Sequence, residues 1–216
     1  MSSDERGGPL KWALPDRGVL FVVSGPSGVG KSTLVKAAMA RIPGLAFSVS
    51  ATTRSPRAGE RDGVDYHFVN APAFADLVHR NAFLEHATVY DRSYGTLRDP
   101  TEAALARGSS LLLDIDVQGS AQVRQTKPDA VHVFVLPPSI DALEQRLRSR
   151  GTDDDATIRR RMDQAMQQLR GCVRYDYVLV NDDLEASHAA FQGILLAETS
   201  RRERRSSVID RVLGGA

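Results

Sequence analysis

The sequence predicts an α/β protein in three layers, a parallel sheet with helices on both faces. Three observations predict it. Short, uniformly apolar runs recur, VLFVVS at 19–24, SLLLDI at 110–115 and VHVFVL at 131–136, and strands apolar on both faces belong in a sheet covered on both sides. Helical patterns separate these runs. Residues 50–98 then break the rhythm with polar loops and alternating strands, so they read as an inserted mixed-β piece.

The elements follow in order. Residues 1–17 carry glycine, proline and charge without a period and read as a mobile arm. Val19–Ser24 is a β-branched apolar run bounded by glycine, a buried strand. Lys31–Arg41 follows as a helix, stopped by Pro43 and Gly44. Leu45–Val49 is a second strand, and Thr52–Asp65 a polar loop carrying Arg54, Arg57 and Arg61. Tyr66–Val69 and Phe83–Tyr90 are strands around a helix that Pro72 opens. Asp99 reads as an N-cap with Pro100 at the first helical position, and Gly108 as the stop. Ser110–Ile115 and Val131–Leu136 are buried strands, the second ended by Pro137 and Pro138. Ser139 caps a helix to Arg150, stopped by Gly151. Asp153–Asp155 open another to about Arg170, with acids at its positive end. Tyr177–Val180 is the last strand, and a long helix runs from Leu184. The expected division is an arm at 1–17, a core at 18–49, 99–138 and 171–216, a subdomain at 50–98, and a helical pair at 139–170 that forms a second mobile piece.

Composition narrows the function classes. With 216 residues, one core with one or two inserts is the natural layout. The 28 basic and 27 acidic residues leave a net charge of +1, which disfavours a global electrostatic nucleic-acid binder. A single cysteine, Cys172, permits no intramolecular disulfide, offers no metal spacing, and reads as a small buried residue of a reducing compartment. No apolar leader precedes a cleavage site and no stretch approaches a membrane span, so the expectation is a soluble cytoplasmic protein without membrane partners. Only four of the basic residues are lysine, so phosphate-binding sites are to be sought where arginines cluster.

The strongest motif is Gly25-Pro26-Ser27-Gly28-Val29-Gly30-Lys31-Ser32, a full G-x-x-x-x-G-K-[ST]. It follows a strand and opens a helix, the context the motif needs. Its glycines let backbone N–H groups converge on phosphate oxygens, and the helix N-terminus, running on through Thr33, adds positive potential. Lys31 reaches the β- and γ-phosphates and the Ser32 hydroxyl ligates Mg²⁺. The chain is therefore expected to bind a nucleoside triphosphate, with Mg²⁺. The motif leaves the phosphoryl acceptor open.

Further blocks narrow the reading. Ser50-Ala51-Thr52-Thr53-Arg54-Ser55-Pro56-Arg57-Ala58-Gly59-Glu60, Asp65-Tyr66-His67-Phe68, Phe83-Leu84-Glu85-His86-Ala87, Tyr94-Gly95-Thr96 and Leu113-Asp114-Ile115-Asp116-Val117-Gln118-Gly119 resemble guanylate kinase. So do Leu136-Pro137-Pro138-Ser139, Arg146-Leu147-Arg148-Ser149-Arg150-Gly151 and Val180-Asn181-Asp182-Asp183. The resemblance runs from about residue 18 to 205. It implies a P-loop kinase of three parts: a core sheet, a subdomain for the nucleoside monophosphate at 50–98 and a helical lid at 139–170. It implies transfer of the γ-phosphoryl group of ATP to GMP, and to dGMP, with Mg²⁺. The implied partners are these small molecules alone, in a monomer or small homo-oligomer. One departure stands out: members often carry Asn-Tyr where this chain has Arg92-Ser93, so no role passes to that tyrosine, and Arg92 instead adds positive charge near the acceptor.

The residues fit this chemistry on their own terms. Arg54 and Arg57 place two guanidinium forks beside Ser50, suited to a phosphate monoester, with Tyr66 as a further donor; the alternative is a solvated loop. Tyr94 resembles the family's other phosphate-contacting tyrosine. A carboxylate at Glu85 accepts both N1–H and the N2 amine of guanine, donors adenine lacks, while periodicity alone makes Glu85 an outward-facing strand residue. The Ser50 and Thr96 hydroxyls donate to O6. Asp114 and Asp116 read as two acids at one strand end on the same face, one positioning the acceptor and another acting through water on Mg²⁺, or else solvating the strand end and capping the next helix. Arg146 and Arg150 share a helix face and Arg161 lies on the next helix; the family uses arginines at these positions to stabilise the transferring phosphoryl group, and the alternative is an ion-paired surface. Asn181 matches the segment that packs on adenine, mainly through backbone. His67 and His86 read as packed or solvated, and Arg201–Arg205 as a solvated helix end. Two other functions remain: a kinase for another acceptor, or a guanylate-kinase-like protein-binding module without catalysis, against which the intact phosphate loop stands.

Overall fold

The computed structural model describes residues 14–89, 91–149 and 154–214. Its larger sheet is parallel throughout, with strands β1 (Leu20–Ser24), β2 (Leu45–Phe47), β7 (Ser110–Asp114), β8 (Val131–Leu136) and β9 (Tyr177–Val180) in the order β2-β7-β1-β8-β9. Alternate residues of β1 face opposite layers. Phe21 and Val23 pack with Leu34, Val35 and Ala38 of α1 (Lys31–Arg41) and with Phe191 and Leu195 of α7 (Leu184–Thr199). Leu20 and Val22 pack the other way, with Leu105 of α3 (Arg98–Ala106) and Val123 of α4 (Val117–Thr126). This two-faced burial is what a uniformly apolar strand demands, and it encloses β1, which carries the phosphate loop, along its whole length.

A second sheet covers residues 51–97. Its strands β3 (Ala51–Thr52), β4 (His67–Phe68), β5 (Phe83–Val89) and β6 (Arg92–Leu97) lie in the order β4-β3-β6-β5, with a parallel β3–β4 pair and antiparallel partners elsewhere. Its core is small: Ala51, Phe74 of α2 (Ala71–His79) and Phe83, with the two rings stacked at 4.7 Å. Helices α5 (Ile140–Arg148) and α6 (Asp155–Leu169) pair through Leu143, Leu147 and Ala165.

The structure departs from the sequence expectations in several places. Helix α3 starts at Arg98 with Leu97 as its cap, so Asp99 and Pro100 lie inside the first turn; β6 runs straight into the helix, and Thr101 donates back to the Leu97 carbonyl at 2.7 Å. The C-terminal helix breaks after Thr199 into a 3₁₀ turn (Arg202–Arg204) and α8 (Ser206–Val212). Arg201, exposed just past the helix end, folds back onto the buried Glu198 at 2.8 Å. Residues 14–17 are tied down: Asp16 donates its N–H to the Arg204 carbonyl at 3.0 Å and its carboxylate accepts from Ser207 N at 2.7 Å. The remainder of the expected arm lies outside the described residues. Cys172 is only half-buried, in a 3₁₀ turn (Arg170–Arg174).

Candidate active site

The phosphate loop hangs between β1 and α1 at the carboxyl edge of the sheet. Gly28 and Gly30 adopt φ of 89° and 99°, a left-handed conformation that side chains resist. Space is also short: a Cβ on Gly28 would stand 2.9 Å from Leu147 Cδ2, and one on Gly30 2.4 Å from Asn181 Nδ2. No side chain caps α1, and its first turn holds no acid. Its leading N–H groups are thus left for an anion. Pro26 and Val29 are buried, while Ser27, Ser32 and Thr33 are exposed along the loop's outer face. Lys31 folds over the loop, Nζ donating to the Gly25 carbonyl at 2.7 Å and lying 3.9 Å from Asp114 Oδ1. Burial pulls the Lys31 ammonium below its ordinary pKa, opposed by Asp114, and pushes the Asp114 carboxyl up, opposed by Lys31.

Asn181 braces this loop from below. Its side-chain amide donates to the Val29 carbonyl at 2.7 Å, its N–H donates to the Leu136 carbonyl at 2.8 Å, and its own carbonyl accepts from Arg146 Nη2 at 3.0 Å. The expected contribution of Asn181 is mainly through backbone. The structure adds a buried side-chain strut joining Arg146 to the phosphate loop. Arg148 points away from that face and pairs with Glu144 and Asp155, both near 2.6–2.8 Å. Arg161 is half-buried on α6, and Arg150 lies outside the described residues.

The two acids at the end of β7 and just beyond it separate. β7 ends at Asp114, so Asp116 is not a strand residue; it caps α4, accepting from the N–H groups of Gln118 and Gly119 at 2.9 Å. Only Asp114 faces Lys31. Ser24, which sequence reasoning passed over, donates to the Ile115 carbonyl at 2.8 Å and fixes the chain between these acids.

A cleft of about 410 Å³ opens between the two sheets, lined by Ser50, Asp65, Tyr66 and Asp114 among others. Arg54 stands near it, its guanidinium carbon 5.2 Å from the Tyr66 ring centre, and Tyr66 meets Tyr94 edge-on at 6.3 Å. Arg57 is exposed. Arg92 is exposed where β6 begins, opposite Val89. Glu60 is a second residue the sequence reading left without a role. It pairs with Arg54 through both oxygens, at 2.8 and 2.9 Å. An acid six residues after an arginine in a polar loop signals nothing until the loop is folded.

Glu85 is inward-facing. It is 7% exposed and sits opposite Thr96 in the β5–β6 ladder, whose hydroxyl donates to Oε1 at 2.7 Å. Its other oxygen lies against α4, where a Cβ on Gly119 would approach within 3.2 Å. Burial raises the Glu85 pKa, opposed by the Thr96 hydrogen bonds and reinforced by the charge of Asp116. A buried carboxylate with one oxygen committed to a hydroxyl and another at the mouth of a helix is set to accept donors from a flat ring.

The donor set suits Mg²⁺ more than a metal caged by protein. Among the described residues no group of three His, Cys, Asp or Glu side chains could hold an ion. The exposed Ser32 hydroxyl, next in the chain to Lys31, which lies 3.9 Å from Asp114, fits a cation that keeps its waters and takes phosphate oxygens as further ligands. Among the described residues no helix is long and apolar enough to cross a membrane.

The guanylate kinase family model matches residues 17–198. A guanylate kinase of Paramagnetospirillum magneticum is 49% identical over 195 residues, covering 90% of this chain and 91% of that protein. One of Bradyrhizobium diazoefficiens is 49% identical over 199 residues, covering 92% and 91%. The crystal structure of guanylate kinase from Anaplasma phagocytophilum superposes with a TM-score of 0.65 at 34% identity, covering 88% of this chain and 91% of that one.

Proposed function

The chain belongs to the guanylate kinase family, and on that premise we propose how its residues move the γ-phosphoryl group of ATP to GMP, or dGMP, giving ADP and the diphosphate. ATP lies with its phosphates in the loop Gly25–Thr33, its β- and γ-oxygens held by backbone N–H groups and by Lys31, which swings off the Gly25 carbonyl to reach them. Its adenine packs near Asn181. GMP enters the cleft between the sheets. Arg54, Arg57, Tyr66 and Tyr94 hold its phosphate, Glu85 accepts N1–H and the N2 amine, and Ser50 donates to O6, as does Thr96 once its single hydroxyl proton turns away from Glu85 Oε1. Asp114 and Asp116 border the acceptor, with Asp114 on the loop side.

An oxygen of the acceptor phosphate attacks the γ-phosphorus as the bond to the ADP oxygen breaks. The attacking group is already an anion, so no general base is needed. Charge grows on the equatorial oxygens, and Lys31 with Arg146, Arg150 and Arg161 stabilises it. Ser32 would hold Mg²⁺ together with the bound phosphates, where the ion would supply charge neutralisation. Residues 50–98 and 139–170 act as closing pieces over a core of 18–49, 99–138 and 171–216, excluding water that would hydrolyse ATP.

The observation that carries this reading is the buried Glu85–Thr96 pair on the same chain as an intact phosphate loop. The test is ATP turnover with GMP, AMP, CMP and UMP as acceptors. Turnover concentrated on GMP is the expected result; equal turnover on another monophosphate assigns the acceptor site elsewhere.

A further inference from the structure

We propose that Glu60 is a positioning residue for the acceptor phosphate, aiming one edge of the Arg54 guanidinium into the cleft. The proposal rests on the reading of Arg54 as a phosphate ligand. Arg54 Nη1 donates to Glu60 Oε2 at 2.9 Å and Nη2 to Oε1 at 2.8 Å, and Nη1 also donates to the Ser55 carbonyl at 2.8 Å. A guanidinium has five N–H donors; these bonds occupy three, and the Tyr94 hydroxyl, itself read as a phosphate contact, is a further hydrogen-bonding neighbour. The other two, on Nε and the outer side of Nη2, are parallel and form the side edge, the kind of fork that grips a phosphate. The flat face lies over Tyr66 at 5.2 Å and Phe68 at 5.8 Å. With one face on aromatic rings and the end edge on a carboxylate, the guanidinium cannot turn.

Glu60 is itself held. Its Oε2 accepts the Arg57 N–H at 2.7 Å, and its own N–H donates to the Arg57 carbonyl at 3.1 Å. One carboxylate therefore closes the loop 54–60 and aims the arginine at its base. The Arg54 guanidinium and the Arg57 N–H hold the Glu60 pKa down to about 2, so the anion persists at neutral pH.

A carboxylate next to a phosphate site also repels the phosphate. Two roles then predict opposite signs. If Glu60 only competes for Arg54, neutralising it tightens GMP. If it aims Arg54, neutralising it weakens GMP.

The experiment measures KM for GMP and ATP, kcat, and the inhibition constant of guanosine, which has the base but no phosphate. Wild type, Glu60→Gln, Glu60→Asp and Arg54→Ala are compared. Glu60→Gln is expected to raise the GMP KM roughly tenfold or more, the loss of about one charge-assisted hydrogen bond at the phosphate. Glu60→Asp keeps the charge but withdraws it, and is expected to raise the GMP KM as well. Guanosine inhibition and the ATP KM should not change in any variant. A GMP KM that stays or falls in Glu60→Gln, while Arg54→Ala raises it, overturns the proposal and leaves Arg54 as a ligand. Guanosine binding that weakens as much as GMP makes Glu60 a support of the subdomain, and also overturns it. An unchanged GMP KM in Arg54→Ala removes the reading of Arg54 itself.

Discussion

The two sheets solve different problems. The larger one holds its loop by apolar burial: β1 is buried along its whole length, with apolar layers on both faces, and the loop that leaves it offers backbone N–H groups. The smaller one has two strands of only two residues and a core of three buried side chains. It is held instead by polar links such as Arg54–Glu60, Thr52 to the Ser93 carbonyl at 3.0 Å, and Thr53 with the Ser93 N–H at 2.9 Å. The groups proposed to recognise GMP on it are side chains. A triphosphate tail is the same for every nucleotide and can be bound by backbone on a rigid platform. A base must be told from other bases, and that takes side chains with placed donors and acceptors.

The contrast can be broken most severely at Lys31. Lys31→Ala should cut kcat by roughly 10³-fold or more, since it removes the one side-chain cation of the loop. The melting temperature should hold or rise, because burial already works against this ammonium. Steady-state rates and thermal unfolding on one preparation check both. A folded variant with full activity would remove the loop from the chemistry.

Phe74→Ala attacks the smaller sheet through its packing. Deleting a ring stacked on Phe83 at 4.7 Å should cost about 3–4 kcal/mol. With so small a core the loss should fall on GMP, raising its KM while the ATP KM stays near wild type. Urea unfolding and the two KM values test this; equal changes for both nucleotides would mean that the sheets do not act separately.

A smaller, acid-side effect is expected in the larger sheet. His132 is 1% exposed, shares a 2.8 Å hydrogen bond with Ser120 and faces the Tyr175 ring. Burial, helped by the Arg124 cation and opposed by Asp176, pushes its pKa down to about 4. A histidine depressed in the fold stabilises it fully above its unfolded pKa near 6.5, and that contribution is lost as pH falls from there towards 4. The loss should be about 2–3 kcal/mol. His132→Gln should flatten the stability–pH curve in this window, as read by denaturant midpoints; an unchanged slope would assign the acid sensitivity to other groups.

The same contrast explains what could be read from the sequence. The phosphate loop is contiguous, and β1, β8 and β9 announce themselves by apolar runs whose neighbours are irrelevant to the pattern. Strands β3 and β6 were invisible as strands. Two residues have no period, and the polar stretch Arg92–Leu97 becomes a strand only by pairing with β5. Helix α4 was absent from the element order because VQGSAQVRQT has only a weak apolar face. Glu85 shows the limit most clearly. Alternation along FLEHATV points it outward, and only the packing of α4 against β5 turns that side of the sheet into an interior. The pairing of Glu60 with Arg54 and the strut from Asn181 to Val29 depend on distances no spacing encodes.

Of the side chains proposed to meet the base, Glu85 of the smaller sheet carries most of the discrimination between guanine and adenine. The direct measurement is kcat/KM for GMP and for AMP in wild type and in Glu85→Gln. Glutamine offers guanine one acceptor and one mismatched donor, at a cost of roughly 2–4 kcal/mol, or about 30- to 1000-fold in kcat/KM for GMP. AMP has neither an N1 proton nor an N2 amine, so its kcat/KM should change far less and the preference for GMP should shrink. A Glu85→Gln enzyme that keeps its full preference for GMP would contradict the account.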